Sequence, residues 1–350
     1  MENIFISNLK SARRLTGLSL RDLASKLPIN ISAQSLNLYE KGARKPSSST
    51  IIELAKVFNL PIDYFFRENK ITLGNIEFRK KSKLGKQKIA YIKEYVAEYI
   101  ERYIEVEKIL GLNEKFHNPL NHLIINTQND IEIQASTLRL KWELGTNPIP
   151  NLIEMVENRG IKIIEVDINS DFDGLSAIVN DIAIIVLNKN LGIVRKRFTL
   201  IHELAHLILT FNENCEKNEI ERYCHQFAGA FILPKSTMIA ILGANRRSIS
   251  QDELISLKIN YGISIQAIFY RLESVGLITK NERVGYLIYL KKYSLTDDEN
   301  FGTYEGYESS DRFKRLVFHA LSEEIITYSK ASQLLNIDLQ EFKSEFKVFE

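Results

Sequence analysis

Nine residues constrain this chain more than any others. In Ile201-His202-Glu203-Leu204-Ala205-His206-Leu207-Ile208-Leu209, two histidines stand four apart with a glutamate after the first, inside an apolar run. Residues i and i+4 share a helix face, so both imidazoles can reach one zinc ion while Glu203 can take a proton from water. Leu200, Leu204, Leu207 and Ile208 are apolar and Ala205 is small, which puts the histidines in or beside a core. Neutral imidazoles there need partners. The plain alternative is two hydrogen-bonded core histidines, and the segment that follows argues against it.

A catalytic zinc takes three protein ligands and keeps a fourth position open, so a third Asp, Glu or His should follow. Glu213, Glu216, Glu219, Glu221 and His225 are available. Ile220, Cys224, Phe227, Ala228 and Phe231 recur at three or four, as on one helix stripe. Glu221 adjoins that stripe one turn before Cys224 and His225. It is the expected third metal ligand, with His225 second and an ordinary surface charge as the bland reading of Glu221.

Together, the stretches Arg195 through His206, Glu221 through Ala228, and Leu233-Pro234 resemble the ImmA/IrrE family of metallopeptidases over about residues 130–280. The resemblance implies Zn2+ on His202, His206 and Glu221, with Glu203 as general base. It also implies a protein substrate that is a repressor or antitoxin-like regulator, cut in response to stress, DNA damage or phage. The chain departs from the family at Cys224-His225, where Ala-Asn is usual. That leaves His225 open as an extra ligand, and Cys224 as either a fourth, inhibitory ligand or a small buried hydrophobe. Tyr223, His225 and Tyr261 are the candidates to stabilise an oxyanion, and the residues do not choose among them.

Upstream, residues 161–167 and 182–187 are short β-branched runs with Asp173-Gly174 and Asn180-Asp181 as turn signals, which predicts a small antiparallel sheet. Its edge either docks an extended substrate backbone or only covers the zinc helix.

At the other end, Ser19 and Ser32 cap two helices around a turn containing Pro28, and Pro46 through Ser49 opens a third. Residues 4–68 resemble the helix-turn-helix domain of Cro and phage-repressor type regulators, the XRE family. Ala24 and Glu40 are sixteen positions apart, about two more than that family has, so the turn is extended. The resemblance sends the helix ending at Glu40 into the major groove of double-stranded DNA. Gln34, Ser35 and Asn37 are then the base readers, and Arg13, Arg14, Lys41, Arg44 and Lys45 the phosphate contacts. A bundle used only for protein contacts is the alternative.

Charge is segregated along the chain. Residues 1–110 carry 20 Lys and Arg against 12 Asp and Glu, net +8; the remainder carries 26 against 32, net −6. A basic N-terminal part favours nucleic acid through counterion release. The run Arg79 through Lys88 either adds phosphate contacts or is a solvated linker. Ile89 to Leu110 predicts a long amphipathic helix whose stripe must be buried, against the peptidase domain or against the same helix of a second chain in a homodimer. Residues 248–278 have a helix-turn-helix cadence with Arg271 exposed, residues 330–342 predict a helical pair, and the acidic segment 296–309 a mobile loop.

The fold expected is α+β: an all-α helix-turn-helix domain (1–70), a basic linker and long helix (71–130), a mainly helical zincin-like peptidase domain with a small antiparallel sheet (131–280), and a helical C-terminal module (281–350). Two cysteines give no disulfide framework. No apolar run reaches about 18 residues and no signal peptide is apparent, so a cytoplasmic protein with no membrane partner is expected. The leading function is a DNA-binding regulator that cleaves a partner protein through zinc. The alternative is a non-enzymatic transcriptional regulator or antitoxin whose zinc site is structural or ligand-sensing.

Overall fold

Serine hydroxyls start the short N-terminal helices by accepting backbone N–H groups that a first turn leaves unpaired. The computed structural model describes residues 2–60, 62–66, 85–112, 115–120, 123–168, 172–244, 248–293 and 301–346. After α1 (Glu2–Leu15), Ser19 caps α2 (Leu20–Lys26), Ser32 caps α3 (Ala33–Glu40) and Ser47 caps α4 (Ser48–Phe58). The gap between α2 and α3 is the extended turn. A 3-10 turn, Ile62–Phe66, returns Tyr64 and Phe65 to a core of Phe5, Leu9, Leu23, Leu36, Leu54 and Phe58. Residues 79–84 of the basic run lie outside the described residues.

Helix α5 (Lys86–Ile109) buries Ile92, Val96, Ile100, Tyr103 and Val106 along one face. The chain divides into two compact units, residues 1–113 with 313–350, and residues 114–312.

The second unit runs β1 (Ile124–Ile125), α6 (Gln128–Lys141), α7 (Leu152–Glu157), β2 (Lys162–Val166), β3 (Gly174–Val179), β4 (Ile182–Asn188), α8 (Ile193–Ile208), β5 (Thr210–Phe211), α9 (Lys217–Ile232), α10 (Lys235–Leu242), α11 (Gln251–Tyr261), α12 (Ile265–Ser274) and α13 (Lys280–Lys292). Its main sheet has the order β2-β4-β3. The antiparallel pairing expected of the runs 161–167 and 182–187 fails, since β2 and β4 pair in parallel; the antiparallel partner of β4 is β3. The cause is the tight turn at Asn180 and Asp181, with φ of 48° and 65°. Two successive positive φ values make the hairpin turn that suits strand twist, and folding β4 back against β3 inserts it between its predecessors. Strand β3 has no signal of its own in the sequence, because it is a short segment between the turn signals Asp173-Gly174 and Asn180-Asp181.

Two further expectations are corrected in this unit. Arg271 is buried rather than exposed: it pairs with Glu132 and crosses α9 at Gly229, where a Cβ would stand 2.7 Å from Arg271 Cδ. Residues 308–310 are anchored. Glu308 is buried, pairs with Arg197 and accepts the backbone N–H groups of Leu152 and Ile153, each at 2.9 Å. Ser310 Oγ hydrogen-bonds Glu157 at 2.7 Å. Residues 296–300 lie outside the described residues.

The chain ends with α14 (Arg312–Ser322), α15 (Tyr328–Leu335) and α16 (Leu339–Glu345). Phe313, Val317, Leu321, Leu334 and Phe342 form one cluster with Tyr103 and Val106 of α5, while α1 packs on α5 from elsewhere. The Tyr103 and Val106 part of the α5 stripe is thus buried by helices of its own unit. Among the described residues no helix is long and apolar enough to cross a membrane.

Candidate metal centre and nucleic-acid interface

Helix α8 fully buries Leu200, Ile201, Leu204, Ala205 and Ile208. Burying an aliphatic side chain of this size contributes about 1.5–3 kcal/mol, so the rotation of the helix about its axis is fixed. The intervening face carries His202, Glu203 and His206, each half-buried. His202 Nε2 lies 3.2 Å from His206 Nε2 and 3.3 Å from Glu221 Oε2, and His206 Nε2 lies 3.6 Å from Glu221 Oε1. Glu221 comes from α9, which packs along α8.

Those separations decide what the donors fit. A tetrahedral zinc with bonds of about 2.0–2.2 Å spans ligand–ligand edges of about 3.3–3.6 Å. Two ring nitrogens and a carboxylate at 3.2, 3.3 and 3.6 Å match that spacing. His206 also lies in the last turn of α8, where the negative end of the helix dipole favours a cation.

The surroundings refine the roles. Cys224 Sγ is 3.4 Å from His206 Nδ1, the nitrogen on the opposite side of the ring from the one facing Glu221. The thiol therefore stands behind the His206 ring, on the side away from Glu221. Nδ1 of His202 is buried and has no hydrogen-bond partner among the described residues. Ser176 Oγ, on β3, donates to Glu203 Oε2 at 2.9 Å. Strand and helix approach this closely because residue 174 is glycine: a Cβ there would stand 2.9 Å from Thr199 Cγ2 and 3.3 Å from Glu203 Cγ. Nothing in the sequence marks Ser176, whose partner is 27 residues away on another element.

Of the other acids weighed, Glu219 bonds Tyr223, Arg222 and Cys215, and Glu216 is the N-cap residue of α9. Tyr223 Oη also meets Asn126 O at 3.2 Å, and burial with the Glu219 contact pushes its phenol up. Tyr261 is packed in the core. Only His225 of the three oxyanion candidates stands beside the histidines: its ring centroid is 4.2 Å from that of His202.

In the helix-turn-helix domain Gln34 is exposed, and Ser35 and Asn37 are half-buried on α3. The Ser35 hydroxyl shares a hydrogen bond with Ser32 Oγ at 3.1 Å. Lys41, Arg44 and Lys45 are exposed beyond the end of α3. Arg13 and Arg14 are placed differently. Arg13 grips Glu40 with Nε at 2.5 Å and Nη2 at 2.9 Å, and that carboxylate holds the guanidinium above its ordinary range. Arg14 pairs with Glu94 of α5 at 2.6 Å.

Fold and site together define a chain with a helix-turn-helix domain and a metallopeptidase-like domain. Residues 9–65 match the helix-turn-helix family, of the XRE type, and residues 156–273 match the IrrE N-terminal-like domain. The HTH-type transcriptional regulator ImmR of Bacillus subtilis (strain 168) is 31% identical over 67 residues, 19% of this chain and 51% of that protein. The chain thus matches about half the length of that curated relative. Among solved structures, a Mycobacterium tuberculosis transcriptional regulator aligns over 49% of this chain and 51% of its own, at 14% identity and a TM-score of 0.30.

Proposed function

We propose that this chain is a DNA-binding regulator whose second unit is a zinc-dependent endopeptidase acting on a partner regulator, a repressor or antitoxin-like protein. The observation that carries the reading is the convergence of His202, His206 and Glu221 at tetrahedral-edge spacing, with Glu203 beside them. A zinc ion held there supplies a Lewis acid for the scissile carbonyl and makes water acidic enough to deprotonate near pH 7. Glu203 accepts the proton of the attacking water and later passes it to the leaving amine. Ser176, donating to one carboxylate oxygen, fixes the plane of that base. Strand β3, the sheet edge next to Glu203, offers backbone groups along which an extended substrate can align.

The helix-turn-helix domain reads double-stranded DNA through Gln34, Ser35 and Asn37 while Lys41, Arg44 and Lys45 neutralise phosphates. Arg13 and Arg14 hold α1 in place through their carboxylate pairs. A transcriptional role is in keeping with the name of the Bacillus subtilis relative, and binding DNA puts the working protein in the cytoplasm. Two copies on a palindromic operator follow from the habit of such domains, not from the stripe of α5. The domain limits are those of the sequence reading: DNA binding over 1–70, linker and long helix over 71–130, peptidase over 131–280, and a C-terminal module over 281–350.

One observation favours the non-enzymatic alternative, a closed zinc site that is structural or ligand-sensing: His225 stands beside the donors. Against it, a structural site has no use for Glu203 held by Ser176. The zinc-loaded protein co-expressed with its neighbouring repressor should cleave it, and Glu203→Gln should not. Equal cleavage by the variant excludes this mechanism.

A further inference from the structure

His225 stands beside the donors, and the hydrolytic scheme does not use it. It follows Glu221 by one helical turn on α9, as His206 follows His202 on α8, so it faces the same ligand set. The ligand atoms of His202, Glu221 and His225 all lie within 4.8 Å of one another. That limit leaves at most about 1.5 Å to close to a tetrahedral edge.

The ring is also set chemically for a cation. His225 Nδ1 is 2.7 Å from the carbonyl oxygen of Glu221. A carbonyl only accepts, so Nδ1 is the donor, and in the neutral ring Nε2 then carries the lone pair. A hydrogen bond from one nitrogen to a backbone carbonyl is the usual way the metal-facing nitrogen of a histidine is selected. Acting instead as an oxyanion donor would require a proton on both nitrogens, hence an imidazolium beside a dication, which Coulomb repulsion disfavours. The ring is exposed on its outer side and lies against Phe198 of α8, at 5.9 Å between centroids. It can rotate without unpacking the core.

We infer that His225 is a fourth, displaceable protein ligand that closes the zinc site at rest and yields its position to an incoming substrate. This rests on the zinc site proposed above and adds a latch to it: the site has a closed state of four protein ligands and an open one of three. The substrate class is unchanged, a peptide segment whose carbonyl takes the vacated position.

The test uses the full chain, stripped of metal and titrated with Zn2+ against a chromophoric chelator, and in parallel with Co2+ followed by its visible d–d absorption. His225→Ala and His225→Asn should each weaken Zn2+ by about 10-fold or more, the scale on which even supporting residues act, and should shift the Co2+ spectrum through the loss of one nitrogen ligand. Affinities within about two-fold of the parent with an unchanged Co2+ spectrum overturn the latch. His206→Ala separates the two readings. If it too binds zinc like the parent, the three-ligand site itself is wrong; if it loses zinc while both His225 variants keep it, only the latch is.

Discussion

The helix-turn-helix domain and the paired helices α8 and α9 use charge in opposite ways. In the first, cations that sequence alone treats as one group separate in the fold: Lys41, Arg44 and Lys45 are exposed, while Arg13 and Arg14 are neutralised by Glu40 and Glu94 at 2.5 and 2.6 Å. In the second, two imidazoles and a carboxylate converge within 3.6 Å, an arrangement that a shared cation completes. Exposed charge at a surface is ambiguous until its neighbours are known. Convergent side chains narrow the reading further, because two packed helices hold all three groups at the spacing of one ligand set.

That contrast can be broken at several points. The largest effect should come from Glu203→Gln, which removes the base but no donor: cleavage falls by about 10²–10⁴-fold while zinc content by metal analysis and DNA affinity stay at the parent level. Loss of zinc in this variant would instead make Glu203 part of the donor set. Glu308→Ala comes next. It strands the buried Arg197 guanidinium, and denaturant unfolding should register a loss of about 3–5 kcal/mol; a loss below 1 kcal/mol would mean that the pair is open to water. Ser32→Ala removes the hydroxyl that caps α3 and should lower stability by about 1 kcal/mol, with a matching fall in operator affinity. The most discriminating comparison is Arg44→Ala with Arg13→Ala. Arg44→Ala should reduce the salt dependence of DNA binding by about one unit of slope, uniformly across sequences. Arg13→Ala should leave that slope unchanged and cost about 1–3 kcal/mol of stability, since it strands the mostly buried Glu40 carboxylate. A lowered slope for Arg13→Ala would put that side chain on a phosphate.

Much of the site was legible because its signals are local. The i, i+4 histidines, the glutamate between them and the carboxylate one turn before His225 are all helical-spacing arguments, and a helix places such residues on one face whatever the rest of the chain does. The same holds for the serine caps, which act within four residues. Strand β3 and Ser176 were not legible, since a strand of six residues between turn signals has little periodicity of its own and its role depends on pairing with β4. Arg271 read as exposed because it lies on a polar position of α12, yet Glu132, 139 residues earlier, draws it inward past Gly229.

By itself, the sequence determined the helices, their caps, the order of the two domains along the chain and the residue types offered on α8 and α9, because each depends on contacts within a turn or two. Tertiary structure alone decided which arginines stay exposed, what packs on α5, how the sheet inserts β4 between β2 and β3, and that Ser176 of β3 reaches Glu203. Those outcomes join groups as far apart as Ser176 and Glu203, 27 positions, and Tyr103 and Phe313, 210 positions, and which of several chemically equivalent partners meets a given side chain is settled by packing of the whole unit, which no local pattern encodes.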